Sequence, residues 1–248
     1  MNHRSPFQPQ DLVDLDDLLL NRALSVCTTE AVHRGVTFRD VICVRHDVDN
    51  IIEPAVAFAE WEHDRGYRST YFILHTAPYW DDKPLLVASL ERIAEFGHEI
   101  GIHNNALAGA LLTGRDPARI LHEAVDELRG YGFPVTGTVA HGDRLCRDDS
   151  GQVRFVNDEM FEECRRDIGA SDREIGNLKL RQWPLSEFGL EYDANWLDRS
   201  AYLSDSGGAW SDPGFDETAG GFPYGGQLHC LIHADWWIEA FAEQKAAA

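Results

Sequence analysis

Between Val41 and Ala140 the chain alternates short β-branched runs with helical patterns, and this alternation restricts the fold more than any other feature. Val41 to Arg45 reads as a buried strand. Pro54 then opens a helix, a position proline tolerates, and Val56, Ala59 and Trp61 continue it until Gly66. Arg68 to His75 is β-branched and aromatic and reads as a second strand. Lys83 to Phe96 is helical, with Leu86, Leu90, Ile93 and Ala94 on one side and Gly97 as its stop. Glu99 to Ile102 is a third strand, Pro117 to Tyr131 a further helix, and Val135 to Ala140 a fourth strand. Repeating at about thirty to forty residues per unit, the pattern implies parallel strands joined by crossover helices.

Outside this region the signals are weaker. Asp11 to Cys27 carries Leu12, Leu15, Leu18 and Leu19 at helical spacing and is expected to be an amphipathic helix packed on the domain. Glu159 to Ile168 is expected to be a short helix. Tyr202 to Gly208 reads as a late strand and turn, and Gly207 to Gly226 as a long Gly-, Pro- and Asp-rich connection. Leu228 to Ile232 is the last strand, and Asp235 to Lys245 a terminal helix. With no internal repeat and no linker, the expectation is one domain over residues 1–248.

The formal net charge of −20 argues against nucleic acid and against an anionic membrane as partners, since both need a positive footprint. It leaves room for a single phosphate group held by a local arginine. The polar start, Met1 to Gln10, is not followed by the apolar core of a signal peptide, so a cytoplasmic location is expected. The cysteines are scattered, odd in number and without CxxC spacing, which reads as reduced thiols.

The chemistry-bearing residues gather where the strands end. Asp47 and Asp49, two apart, would share a face of the first strand. Two like charges so placed require a metal ion, a proton or an arginine beside them, although a helix cap plus an arginine pair is the plainer reading. His103 ends the third strand, His141 and Asp143 the fourth with Arg144 nearby, and His233 the last. Carboxylates and histidines at several strand ends are what an active site at one mouth of an α/β barrel looks like. His98 follows Gly97 at the opposite end of its strand and reads as structural. Tyr202, Asp205 and Trp210 are candidates for a wall against a sugar ring. Trp236 and Trp237 read as core packing.

In this order, Arg45-His46-Asp47-Val48-Asp49, Ser69 to Leu74, Gly97-His98-Glu99-Ile100-Gly101-Ile102-His103, His141-Gly142, Tyr202 to Ser206 and Leu231-Ile232-His233 resemble the polysaccharide deacetylase (NodB-homology, carbohydrate esterase family 4) superfamily. The resemblance implies a distorted (β/α)7 barrel and one divalent metal ion, zinc being the expected one. It also implies Asp47 as general base, Asp49 as a metal ligand, His103 as the first histidine of a His-x-x-x-His metal motif and His233 as general acid. Leu107 stands where the second metal histidine should be, and an apolar side chain cannot ligate. His141 is the candidate replacement, with Asn105 a poorer one because a neutral amide oxygen binds zinc weakly. The Arg-x-Pro-Tyr groove motif is not evident; His141-Gly142-Asp143-Arg144 occupies its place. The expected activity is hydrolysis of an N-acyl group, acetyl foremost, from a small soluble carbohydrate such as a nucleotide-linked sugar. The alternatives are a sugar-binding barrel without catalysis and a deformylase- or imidase-like amidohydrolase.

Overall fold

The computed structural model of the chain describes residues 6–22, 25–35, 41–165, 173–211, 215 and 226–242. Its helices are α1 (Pro9–Arg22), α2 (Thr29–His33), α3 (Glu53–Asp64), α4 (Lys83–Glu95), α5 (Ala106–Thr113), α6 (Pro117–Gly130) and α7 (Ile238–Ala242). Its strands are β1 (Ser25–Cys27), β2 (Val41–Val48), β3 (Thr70–Leu74), β4 (Glu99–Asn104), β5 (Gly137–Ala140), β6 (Glu174–Ile175), β7 (Leu178–Lys179), β8 (Tyr192–Asp193), β9 (Ala201–Ser204) and β10 (Gln227–Ile232). The main sheet has the order β8-β5-β4-β3-β2-β10-β9, with β1 also on β2. The pairings β1–β2, β2–β10, β10–β9, β4–β5 and β5–β8 are parallel. Among the described residues only the β6–β7 pair forms a separate, antiparallel sheet. This is the α/β, mostly parallel architecture that the alternating sequence pattern predicts.

The chain contacts gather in two compact units. The first comprises Met1–Tyr71, Ala77–Glu99 and Asp198–Ala248; the second comprises Phe72–Thr76 and Ile100–Leu197. In the first unit β2 is buried along its whole length. Burial on both faces explains why its apolar residues run on instead of alternating. One face carries His46, whose ring stacks on Tyr71 at 4.3 Å and lies 4.9 Å from Phe58 of α3. Beside it Glu62 accepts hydrogen bonds from Ser69 Oγ at 2.5 Å and Tyr71 OH at 2.7 Å, and its other oxygen is 2.9 Å from His46 Nε2. A fully buried carboxylate is tolerable only with such partners. His98 completes this network as a structural residue: its Nδ1 accepts from the Ser69 amide and its Nε2 donates to the Ala59 carbonyl.

In the second unit Phe72, Val139, Tyr192 and Ala194 form one apolar cluster. A Cβ at Gly137 would overlap the Tyr192 ring, so glycine is required there for β5 and β8 to pair. Asp116 caps α6 by accepting from the Ala118 amide.

Several boundaries differ from the sequence reading. The N-terminal helix stops at Arg22, and Ser25–Cys27 pairs as β1, with Val26 opposite Ile42. The leucine period ends before Ser25, and strand pairing takes over. Helix α5 was not expected: Ala106, Leu107, Ala108, Gly109 and Ala110 are all buried, so no polar face marks it as a helix. Leu107 is therefore a core residue of α5. In place of the helix at Glu159–Ile168 there is one 3₁₀ turn, Asn157–Met160, and residues 166–168 lie outside the described residues. The terminal helix begins as a 3₁₀ turn, Ala234–Trp237, before α7, and its expected end at Lys245 lies outside them too. Most of the Gly207–Gly226 connection also lies outside the described residues. Among the described residues no helix is long and apolar enough to cross a membrane.

Candidate active site

Strand β2 runs on to Val48, so Asp47 lies inside the strand and Asp49 directly after it. Arg45 and Asp47 share the face opposite His46. Arg45 Nε lies 3.6 Å from Asp47 Oδ1, and the guanidinium donates to the Tyr202 hydroxyl at 3.4 Å. This same-strand arginine compensates a buried carboxylate, one of the partners the paired aspartates required. Beyond Val48 the backbone is pinned. Tyr79 OH donates to the Val48 carbonyl at 2.6 Å, and the Asn50 backbone and side-chain amides donate to Asp235 Oδ2 at 3.2 and 2.8 Å. These bonds fix the segment that presents Asp49.

His233 follows β10 and rests on Asp205, which follows β9. Its Nδ1 is 2.6 Å from Asp205 Oδ1, and its backbone amide donates to the same carboxylate. Trp237 Nε1 donates to Asp205 Oδ2 at 2.9 Å. The other ring nitrogen, Nε2, is 3.8 Å from Asp49 Oδ2. Burial, the largest influence, disfavours charge on His233. The hydrogen bond and charge of Asp205, joined by the charges of Asp47 and Asp49, together outweigh it and raise the pKa to about 9. The imidazole is thus protonated at neutral pH and turned toward the aspartates.

The second group of histidines lies at the ends of β4 and β5. His103 Nδ1 donates to the Val139 carbonyl at 3.1 Å, which leaves its Nε2 as a lone-pair donor. That Nε2 is 3.2 Å from His141 Nδ1, with the rings at 82°. Two nitrogens bound to one tetrahedral ion at the usual zinc–nitrogen distance stand about 3.3 Å apart. The same spacing serves an N–H···N hydrogen bond when no ion is bound. A set of asparagines holds the histidines in place. Asn157 donates to the His141 carbonyl at 2.9 Å and to Asn105 Oδ1 at 3.1 Å, and accepts from the Ala108 amide. Asn105 in turn donates to Thr76 and to Asp143 Oδ2.

His75, directly after β3, was missed in the sequence. Its Nε2 accepts the Asn105 backbone amide at 3.0 Å. Burial, aided by the charges of His103 and His141, lowers its pKa to about 3, so it stays neutral. The available signal was the same as for His103: a histidine at the end of a β-branched run.

His103 Nε2 and His141 Nδ1 thus offer two imidazole ligand atoms at a spacing that suits zinc and similar divalent ions, and the fixed His103 tautomer fits that use. The remaining candidates fall elsewhere. Asp205 is fully buried behind His233, so it orients the imidazole and forms no substrate wall. Trp210 packs edge-on to Phe7 and Trp237 in an aromatic cluster. Tyr202 is half-buried, with the Arg199 guanidinium over its ring at 4.6 Å. Asn105 spends its amide on the scaffold, which removes it as a replacement ligand. Asp143 likewise caps the 3₁₀ turn Arg144–Cys146. Arg144 is exposed and lines an open cavity.

No family model and no curated protein matches the chain. Among solved structures it is similar to a family 4 carbohydrate esterase from Bacillus anthracis, at 16% identity and a TM-score of 0.44, over 94% of this chain and 82% of that one.

Proposed function

We propose that the protein is a metal-dependent hydrolase that removes an N-acyl group, acetyl foremost, from a small carbohydrate. The observation that carries the reading is the convergence of His103 Nε2 and His141 Nδ1 at 3.2 Å; Asp49 is the carboxylate assigned to complete the set. These three residues would hold the ion, which when bound polarises an acyl oxygen and lowers the pKa of water.

The chain's own groups supply the proton transfers. Asp47 accepts a proton from the attacking water, held in direction by Arg45. His233 is charged at neutral pH and donates its proton to the departing nitrogen, which leaves poorly as an anion. As the carbon–nitrogen bond breaks, a carboxylic acid and an amine form. Asp205 stabilises the imidazolium beforehand and fixes which nitrogen faces outward. Carboxylates with separate jobs in one site are the usual outcome of such environments.

The test is a substrate panel. An N-acetylated hexosamine, its N-formyl analogue and a cyclic amide are incubated with the purified protein, before and after chelation. Acetate release that chelator stops and zinc restores is expected, and His233→Ala should slow it by about 10²- to 10⁴-fold. Turnover of the formyl or cyclic amide compound alone would move the assignment to a deformylase or imidase-like hydrolase. Sugar binding without turnover, unaltered by chelation, would leave a binding protein.

A further inference from the structure

The open cavity at Arg144 has no part in the proton transfers above. It measures about 730 Å³ and lies in the second unit, where Arg144, Arg147 and Arg154 line it together with Leu145, Asp148 and Asp149. The segment that builds it is ordered by its own bonds. Asp143 caps the turn that carries Arg144. Beyond it Arg147 and Val153 form an antiparallel bridge, the Asp148 amide donates to the Gln152 carbonyl, and the Arg154 amide donates to the Cys146 carbonyl. Gly151, at a φ of 84°, closes this hairpin.

The charges are sorted. Asp148 accepts from the Ser150 hydroxyl and from the Ser150 and Gln152 amides, bonds that hold its carboxyl below the usual range and commit it to the turn. Arg147 donates to the Gly151 carbonyl at 3.0 Å and keeps further N–H groups in hand. Arg144 and Arg154 are exposed at the cavity. In a chain with a net charge of −20, three guanidiniums against the Asp148 and Asp149 carboxylates give this cavity a local excess of positive charge. Arginine forks match the geometry of phosphate oxygens, and several at one place favour a multiply charged group. The volume is far larger than a phosphate alone needs and falls in the range of organic ligand sites. Asp149 adds an acceptor of the kind that takes a sugar hydroxyl.

We propose that this cavity binds the phosphoryl group of a phosphorylated sugar or nucleoside. The cavity begins three residues after His141, so backbone length limits Arg144 Cα to within roughly 11 Å of His141 Cα. We therefore assign the phosphoryl-bearing molecule as the substrate of the hydrolase, a step that rests on the function proposed above.

The test is calorimetric titration of the full chain in excess EDTA, so that no metal contributes. The probes are uridine diphosphate, a hexose 6-phosphate and inorganic phosphate. At least one organic phosphate should bind more tightly than inorganic phosphate. Arg144→Ala and Arg154→Ala should each weaken it by roughly tenfold or more, the scale of one charge-assisted hydrogen bond. Arg144→Lys should keep part of the affinity. Unchanged affinity in both alanine variants would overturn the proposal, as would the absence of binding by either organic phosphate. Equal affinity for inorganic phosphate would replace an organic ligand with a free-phosphate site. Organic-phosphate binding by a parent protein that takes up no zinc on separate titration would leave the cavity standing while the hydrolase reading fails.

Discussion

The two histidine sites of this protein use the same side chain in opposite electrostatic states. At the end of β10, His233 is backed by the buried Asp205 and faces two further aspartates, and its pKa rises to about 9. At the end of β3, burial, aided by the charges of His103 and His141, lowers the His75 pKa to about 3. Nearby, His103 Nδ1 donates to the Val139 carbonyl and its Nε2 lies 3.2 Å from His141 Nδ1. Acids around an imidazole favour its charged form, and burial away from them favours its neutral one. The residue type alone decides neither role.

The largest test of this contrast is His233→Ala. Loss of a general acid should lower kcat by about 10²- to 10⁴-fold while the bound metal stays, as steady-state kinetics and metal analysis of one preparation would show. Loss of metal in this variant would erase the division between the two sites. Asp205→Asn should act more gently and more diagnostically. Without the acid behind it, the His233 pKa should fall from about 9 toward the ordinary value near 6.5, so the alkaline fall in rate should move to lower pH. A pH–rate profile that does not move would show that Asp205 does not set the proton donor.

On the ligand side, Asn157→Ala removes the bonds to the His141 carbonyl and Asn105 and strands the Ala108 amide. Metal affinity should drop roughly tenfold, the usual scale for outer-shell support, with kcat at saturating metal little altered. Unaltered affinity would mean the asparagines serve the fold alone.

The smallest effect concerns stability. His75 and His229 both have folded-state pKa values near 3, lowered chiefly by burial, against about 6.5 in the unfolded chain. Between those values the unfolded chain binds more protons, so acidification should cost about 1.4 kcal/mol per pH unit for each histidine. His233 has the reverse sign: its contribution is present below about pH 6.5 and is lost as pH rises through about 9. Denaturant midpoints should therefore fall toward acid less steeply in His75→Gln or His229→Gln. Identical slopes would contradict the burial argument.

The parts legible in the sequence were those governed by local pattern. β2, β4 and β10 are short apolar runs with polar residues at their ends, so Asp47, Asp49, His103 and His233 stood out beside them. What escaped was tertiary or patternless. The Asp205–His233 bond joins residues 28 apart, and nothing local distinguishes a positioning acid from a sugar-facing one. Helix α5 is apolar all round and offers no period to read. Asn157 lies in a polar stretch with no motif, yet it ties His141 to the end of β4. β1 has three residues, too few for alternation to show against a leucine-rich helix before it.

The most direct test is the divalent metal content of the purified full chain after zinc loading, measured beside His103→Ala, Asp49→Ala and His233→Ala. The account predicts one tightly held ion in the parent protein and in His233→Ala, and none in His103→Ala or Asp49→Ala. A parent protein that binds no ion, or a His103→Ala variant that binds it as well as the parent, would contradict it.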